Sequence, residues 1–113
     1  MLVFDRHPLI AASLEAMLRD LGAASIHVAV DVAAAVAFAA QAEVALAVLE
    51  WCDGNAELAA LVERLEAAKI AIVLLSVHPR RRAAKAETAR LAVLEKPFAD
   101  SEMADAIRRV AAG

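Results

Sequence analysis

Six polar side chains break an otherwise apolar frame at comparable places. Leu2-Val3-Phe4 stops at Asp5-Arg6, and the run from Val44 to Trp51 is interrupted only by Glu50. Ile70 to Val77 carries Ser76 near its end, and Leu91 to Leu94 leads through Glu95 into Lys96-Pro97-Phe98. Asp5 and Glu50 supply two carboxylates there. A serine there is a candidate nucleophile for a small hydrolase or phosphotransfer enzyme, although no G-x-S-x-G turn surrounds Ser76 and no base–orienter pair accompanies it. Arginine and lysine against the same carboxylates can instead neutralise them. Taken singly, each residue merely begins a solvated loop. Together they define a site, provided the chain delivers the ends of these runs to one rim.

The elements that must do this alternate between two periodicities. After the strand Leu2–Phe4, residues 8 to 21 place Leu9, Ile10, Leu14, Met17, Leu18 and Leu21 at helical spacing, with Pro8 suited to a first turn and Gly22 to a C-terminal cap. Ser25 to Val30 is β-rich, and Asp31 is a good N-cap for a helix from Val32 to Ala42. Val44 to Trp51 reads as a strand buried on both faces. Cys52-Asp53-Gly54-Asn55 is a turn into a helix from Ala56 to Lys69, followed by a strand from Ile70 to Val77. The polar segment from His78 to Arg90 is expected to be helical, Leu91 to Leu94 is a fifth strand, and Asp100 or Ser101 caps a last helix to about Ala112. Strict alternation of strand and helix predicts an α/β, flavodoxin-like (βα)5 three-layer sandwich. Its parallel five-stranded sheet is expected in the order 2-1-3-4-5, as one domain over residues 1–113. In such sheets function gathers at the carboxyl ends of the strands. Strand alternation turns Glu95 to the face opposite Lys96, so Glu95 is left out of the site.

Composition narrows the function classes. The 113 residues are 62% hydrophobic but only 4% aromatic, with a formal charge of −3, so the whole chain carries no electrostatic footprint for nucleic acid. The single cysteine, Cys52, fits a reducing compartment. No basic-then-apolar signal opens the chain. The alanine-rich stretch Val32 to Leu49 is interrupted by Gln41 and Glu43 and lacks the ~20 strongly apolar residues a bilayer span requires. The expectation is a soluble, cytoplasmic protein with no membrane contact and no direct nucleic-acid contact.

The residues at the rim resemble those of the receiver domains of bacterial two-component response regulators, and the resemblance runs along essentially the whole chain. L-V-F-D-R-H-P-L-I is similar to that family's opening, V-A-L-A-V-L-E-W to the strand ending in its phosphate-accepting aspartate, I-V-L-L-S-V to the strand ending in its serine or threonine, and L-A-V-L-E-K-P-F to the strand with its Lys-Pro. The closing A-D-A-I-R-R-V-A-A-G is similar to its last helix. The resemblance implies roles: Asp5 and Arg6 stand at the two acidic-pocket positions, Glu50 at the phosphate-accepting position, Ser76 and Lys96 at the hydroxyl and lysine positions, and Val93 at the aromatic switch position. C-D-G-N-A-E after Glu50 is shorter than the family's loop and lacks its proline and Met-x-Gly pattern.

Two departures carry the functional expectation. The family's pocket implies three carboxylates and one lysine, which attract Mg²⁺; the metal then neutralises an incoming phosphoryl group. Here Asp5 and Glu50 face Arg6 and Lys96, and the formal charges cancel. Glu50 also sets its carboxylate about one carbon–carbon bond, ~1.5 Å, beyond that of an aspartate, which spoils near-attack geometry. The expectation is a receiver-like domain that has lost Mg²⁺ and regulated phosphorylation, is not an enzyme, and holds no cofactor. Arg6 replaces the metal as the positive partner of Glu50 and Asp5. Either Glu50, held by Arg6, Ser76 and Lys96, imitates the phosphorylated state, or the charges only satisfy one another; Val93 cannot act as an aromatic switch, which favours the second. The alternative is an ordinary phosphorylation-dependent, Mg²⁺-binding receiver that tolerates Arg6 and Glu50, using another acid such as Asp53.

Partners follow from the same resemblance. The basic segment containing Arg81, Arg82 and Lys85 with the fifth strand and last helix would form a partner or homodimer face, where Glu102 and Asp105 pair with those cations across a two-fold axis. A histidine kinase or a fused output domain is a further possible partner. The basic run has no aromatic residues for stacking on bases. Cys52 is expected to be inert packing.

Overall fold

The computed structural model describes residues 1–76 and 88–112. Five parallel strands form one sheet: β1 (Leu2–Phe4), β2 (His27–Ala29), β3 (Leu46–Glu50), β4 (Ala71–Ser76) and β5 (Leu91–Glu95), in the order β2-β1-β3-β4-β5. Four helices are described: α1 (Pro8–Asp20), α2 (Val32–Gln41), α3 (Ala56–Ala67) and α4 (Asp100–Ala112). The helix expected between β4 and β5, with Arg81, Arg82 and Lys85, falls largely outside the described residues. Its expected end at Arg90 is corrected: Thr88 forms an antiparallel bridge with Leu91, so residues 88 to 90 make a turn. None of the described helices is long and apolar enough to cross a membrane.

Strand alternation sorts the core into two halves. Phe4, Leu49, Ile72 and Leu74 pack with Ala35 of α2 and Leu58, Leu61 and Val62 of α3. Val3, Val48, Val73 and Leu75 face the other way, against Leu14 and Leu18 of α1 and Met103, Ala106 and Val110 of α4. Both faces of the sheet are thus covered, which is why β3 and β4 are apolar almost throughout. The many alanines at these contacts let the helices lie close to the strands.

Local chemistry sets the helix ends. Pro8 occupies the first turn of α1, where its missing N–H costs nothing. The Asp31 carboxylate accepts from the Ala34 amide at 2.7 Å, and Asn55 does the same for Leu58 at 2.9 Å. Helices α1 and α3 end in the same motif. Ala23 N–H donates to Leu18 and Gly22 N–H to Arg19, as Ile70 N–H does to Leu65 and Lys69 N–H to Glu66. The left-handed residue is Gly22 (φ 105°) in one and Lys69 (φ 61°) in the other. The cap expected from Asp100 or Ser101 is corrected. Met103 N–H donates to the Ala99 carbonyl, and the Glu102 side chain reaches back to the Ala99 amide at 2.8 Å, half of a capping box.

Candidate functional site

Parallel register carries the strand ends to a common rim. Phe4 pairs with Leu49, Glu50 with Leu75 and Ser76 with Glu95. The ladder continues one residue further: Asp5 N–H donates to Ala29, Trp51 N–H to Leu75 and Lys96 N–H to the Ser76 carbonyl at 2.9 Å. Asp5 and Lys96 are therefore fixed by strand hydrogen bonds although both lie just beyond their strands. The Lys96-Pro97 peptide is cis.

Asp5 is fully buried and Glu50 nearly so, whereas the Arg6 side chain is 59% exposed and that of Lys96 14%. A buried carboxylate requires charge or hydrogen-bond partners, and both have them. Lys96 Nζ donates to Asp5 Oδ2 at 2.7 Å and lies 3.6 Å from Glu50 Oε2. The Arg6 backbone N–H donates to Glu50 Oε1 at 2.9 Å, and Arg6 Nε reaches the same oxygen at 3.3 Å. The cations therefore divide the work: Arg6 contacts Glu50, and Lys96 spans both acids with its short bond to Asp5. Arg6 is not the direct partner of Asp5 that the sequence led us to expect. The Glu50 hydrogen bond, with smaller contributions from the charges around it, raises the Arg6 pKa above arginine's ordinary value.

His7, which sequence spacing set aside, belongs to this cluster. Its backbone N–H donates to Asp5 Oδ1 at 2.9 Å, its ring Nδ1 lies 3.2 Å from the same oxygen, and Nδ1 is 3.9 Å from Glu50 Oε2. An aspartate that accepts from the amide two residues on makes an Asx turn. Asp5 followed by His7 and a helix-opening Pro8 is the sequence signal that could have revealed it.

The remaining expected residues fall as follows. Ser76 is buried at the end of β4, 4% exposed, which leaves an incoming substrate little access to its hydroxyl. Val93 packs against the α2–α3 side of the core. Glu95 is exposed and takes no place in the cluster. Asp53 accepts from Trp51 Nε1 at 2.9 Å in an exposed turn, so it is engaged away from the acids. Glu102 and Asp105 are exposed on α4 and line a shallow depression of about 320 Å³ with Val93 and Arg109. Each already has a local role, Glu102 at the Ala99 amide and Asp105 with Arg108. Cys52 is buried below the rim, and burial raises its thiol pKa above the ordinary value.

A Mg²⁺ ion fits these residues poorly. It demands near-octahedral oxygen ligands and parts with its waters reluctantly. Asp5 Oδ2 is taken by Lys96, Asp5 Oδ1 by His7, and Glu50 Oε1 by Arg6. Among the described residues, the contacts of Glu50 Oε2 are the longer ones, at 3.6 and 3.9 Å.

The sequence matches no protein-family signature and no curated protein. Solved structures match over nearly the whole chain. A response regulator receiver protein from Sinorhizobium medicae superposes with a TM-score of 0.79 at 22% identity, covering 99% of this chain and 93% of that one. The signal receiver domain of an HD domain-containing protein from Pseudomonas fluorescens gives 0.78 at 23% identity, covering 96% and 90%. The anti-anti-sigma factor PhyR from Bartonella quintana, a mutant form, gives 0.78 at 21% identity. There the match covers 97% of this chain and 47% of that one, so this chain spans about half the length of PhyR. The five-stranded order, the helices on both faces and these superpositions agree: the chain has the fold of a response-regulator receiver domain.

Proposed function

We propose that this chain is a receiver-like signalling module that works through protein–protein contact, without Mg²⁺ and without regulated phosphoryl transfer. The observation that carries the reading is the Arg6–Glu50 contact beside the short Lys96–Asp5 bond. The residue in the phosphate-accepting place has its own cation, and the two acids are formally balanced by two bases. Such a site has little electrostatic pull on Mg²⁺, a hard ion that depends on charge and oxygen ligands, and Glu50 Oε1 is committed to donors from the chain itself.

Within this reading, the charges satisfy one another and the output does not pass through an aromatic switch, since the aliphatic Val93 stands at that position. The surface of β5 and α4, with exposed Glu102 and Asp105, is the partner face we favour for a second copy or another protein of the signalling chain. Incubation with acetyl phosphate and Mg²⁺, followed by intact-mass measurement, tests the proposal. No adduct is expected on the native chain. A stable phosphoryl adduct on Glu50 would establish the ordinary phosphorylation-dependent receiver instead.

A further inference from the structure

The pairs that neutralise the rim leave one corner where three donors of mixed chemistry face each other. From the geometry we infer that Asp5, His7 and Glu50 form a binding site for a divalent transition ion of the zinc class. The inference shares with the reading above only the argument against magnesium; the zinc site itself stands on its donor set.

One donor atom from each residue can be chosen so that all lie within 4.8 Å of one another. His7 Nδ1 is 3.2 Å from Asp5 Oδ1 and 3.9 Å from Glu50 Oε2. Ligands ~2.0–2.1 Å from a tetrahedral zinc stand about 3.3 Å apart, so these two edges are already near the required length. Glu50 Oε2, with its nearest described cations at 3.6 and 3.9 Å, is the carboxylate oxygen held least tightly by those residues.

The corner is also built to hold its shape. Lys96 fixes Asp5 through Oδ2, and Oδ1, which accepts from the His7 amide with one lone pair, keeps a second beside the imidazole. The His7 backbone is tied to the same carboxylate and then enters α1, so the imidazole starts from a defined position. A carboxylate oriented by a second partner is a common support for metal ligands. The His7 side chain is 60% exposed, which supplies an entry path and room for a water as fourth ligand.

Ion class follows from the donors. Lys96 and Arg6 oppose any cation, and a hard ion that relies on charge and oxygen has nothing to offset them. A zinc-class ion gains a bond to the imidazole nitrogen, which a hard ion does not.

The test is calorimetric titration of the full chain with ZnCl₂ and, separately, MgCl₂ in a non-chelating buffer. Variants His7→Ala, Arg6→Ala and His27→Ala are compared, with Co²⁺ absorption spectra as a second readout. The expected result is one Zn²⁺ per chain, weakened at least tenfold by His7→Ala, strengthened by Arg6→Ala, unchanged by His27→Ala, and a cobalt band lost with His7. Zinc binding indifferent to His7, or none at all, overturns the inference. The two proposals fail separately. Magnesium-dependent phosphorylation with zinc still held by His7 sinks only the functional reading, whereas loss of zinc binding without any Mg²⁺ binding sinks only this one.

Discussion

The two ion pairs at the rim differ in burial, and the difference predicts unequal consequences for stability. Lys96→Met keeps the apolar stem but removes the ammonium 2.7 Å from fully buried Asp5. Breaking a buried pair from one side costs about 3–5 kcal/mol, because the other charge stays behind. Lys96 is 14% exposed, and Asp5 keeps the His7 amide as a donor, so we expect about 2–4 kcal/mol. At roughly 4 °C per kcal/mol for a domain of this size, Tm falls by about 8–16 °C. Arg6→Ala removes a guanidinium that is 59% exposed and 3.3 Å from its partner, and solvent screening holds that loss below about 1 kcal/mol. The backbone bond from Arg6 to Glu50 survives the change. Urea melts of both variants, and of Lys96→Met in an Asp5→Asn background, measure these terms. The cycle should recover at least about 2 kcal/mol of coupling between Asp5 and Lys96. A Lys96→Met cost below 1 kcal/mol, or an Arg6→Ala cost equal to it, refutes the division of labour between the two cations.

The matching ends of α1 and α3 give a paired prediction. Gly22→Ala should destabilise by about 1 kcal/mol through its left-handed backbone, with no clash because nothing lies within 4 Å, while Lys69→Gly should stabilise by about 0.5–1 kcal/mol; thermal melts decide both. Asp31→Ala removes the side-chain cap of α2 and should cost about 1 kcal/mol in the same assay. Cys52, whose pKa is raised by burial, should react with iodoacetamide far more slowly than a free thiol at pH 8 until the chain is unfolded. By the sign of that shift, its contribution to stability is full below the unfolded thiol value of ~8.5 and is lost as pH rises through the folded value. Rapid native alkylation would contradict the assignment.

Much of the frame was legible because periodicity and turn chemistry act locally. The apolar runs marked all five strands, Asp31 marked a cap and Gly22 a stop, and the polar residues at the strand ends marked the rim. What escaped depends on side-chain direction in three dimensions. Arg6 follows Asp5 in sequence yet leans to Glu50, because the neighbouring strand lies beside the loop and Lys96 has already taken Asp5. His7 escaped because its place in the cluster arises from an Asx turn and not from helical or strand spacing. At α4, a glutamate in the first turn supplied the cap that Asp100 and Ser101 were expected to give. The turn before β5 was masked by a polar composition that suits helix and loop equally well.

The central claim is that charges belonging to the chain occupy the place of a magnesium ion. Calorimetric Mg²⁺ titration of the native chain and of Arg6→Asp/Glu50→Asp is the most direct measurement, because it reads binding at the rim without a reporter group. The account predicts no saturable heat through the millimolar range for the native chain and a saturable one for the double variant. Saturable Mg²⁺ binding by the native chain, or no gain in the variant, would contradict it.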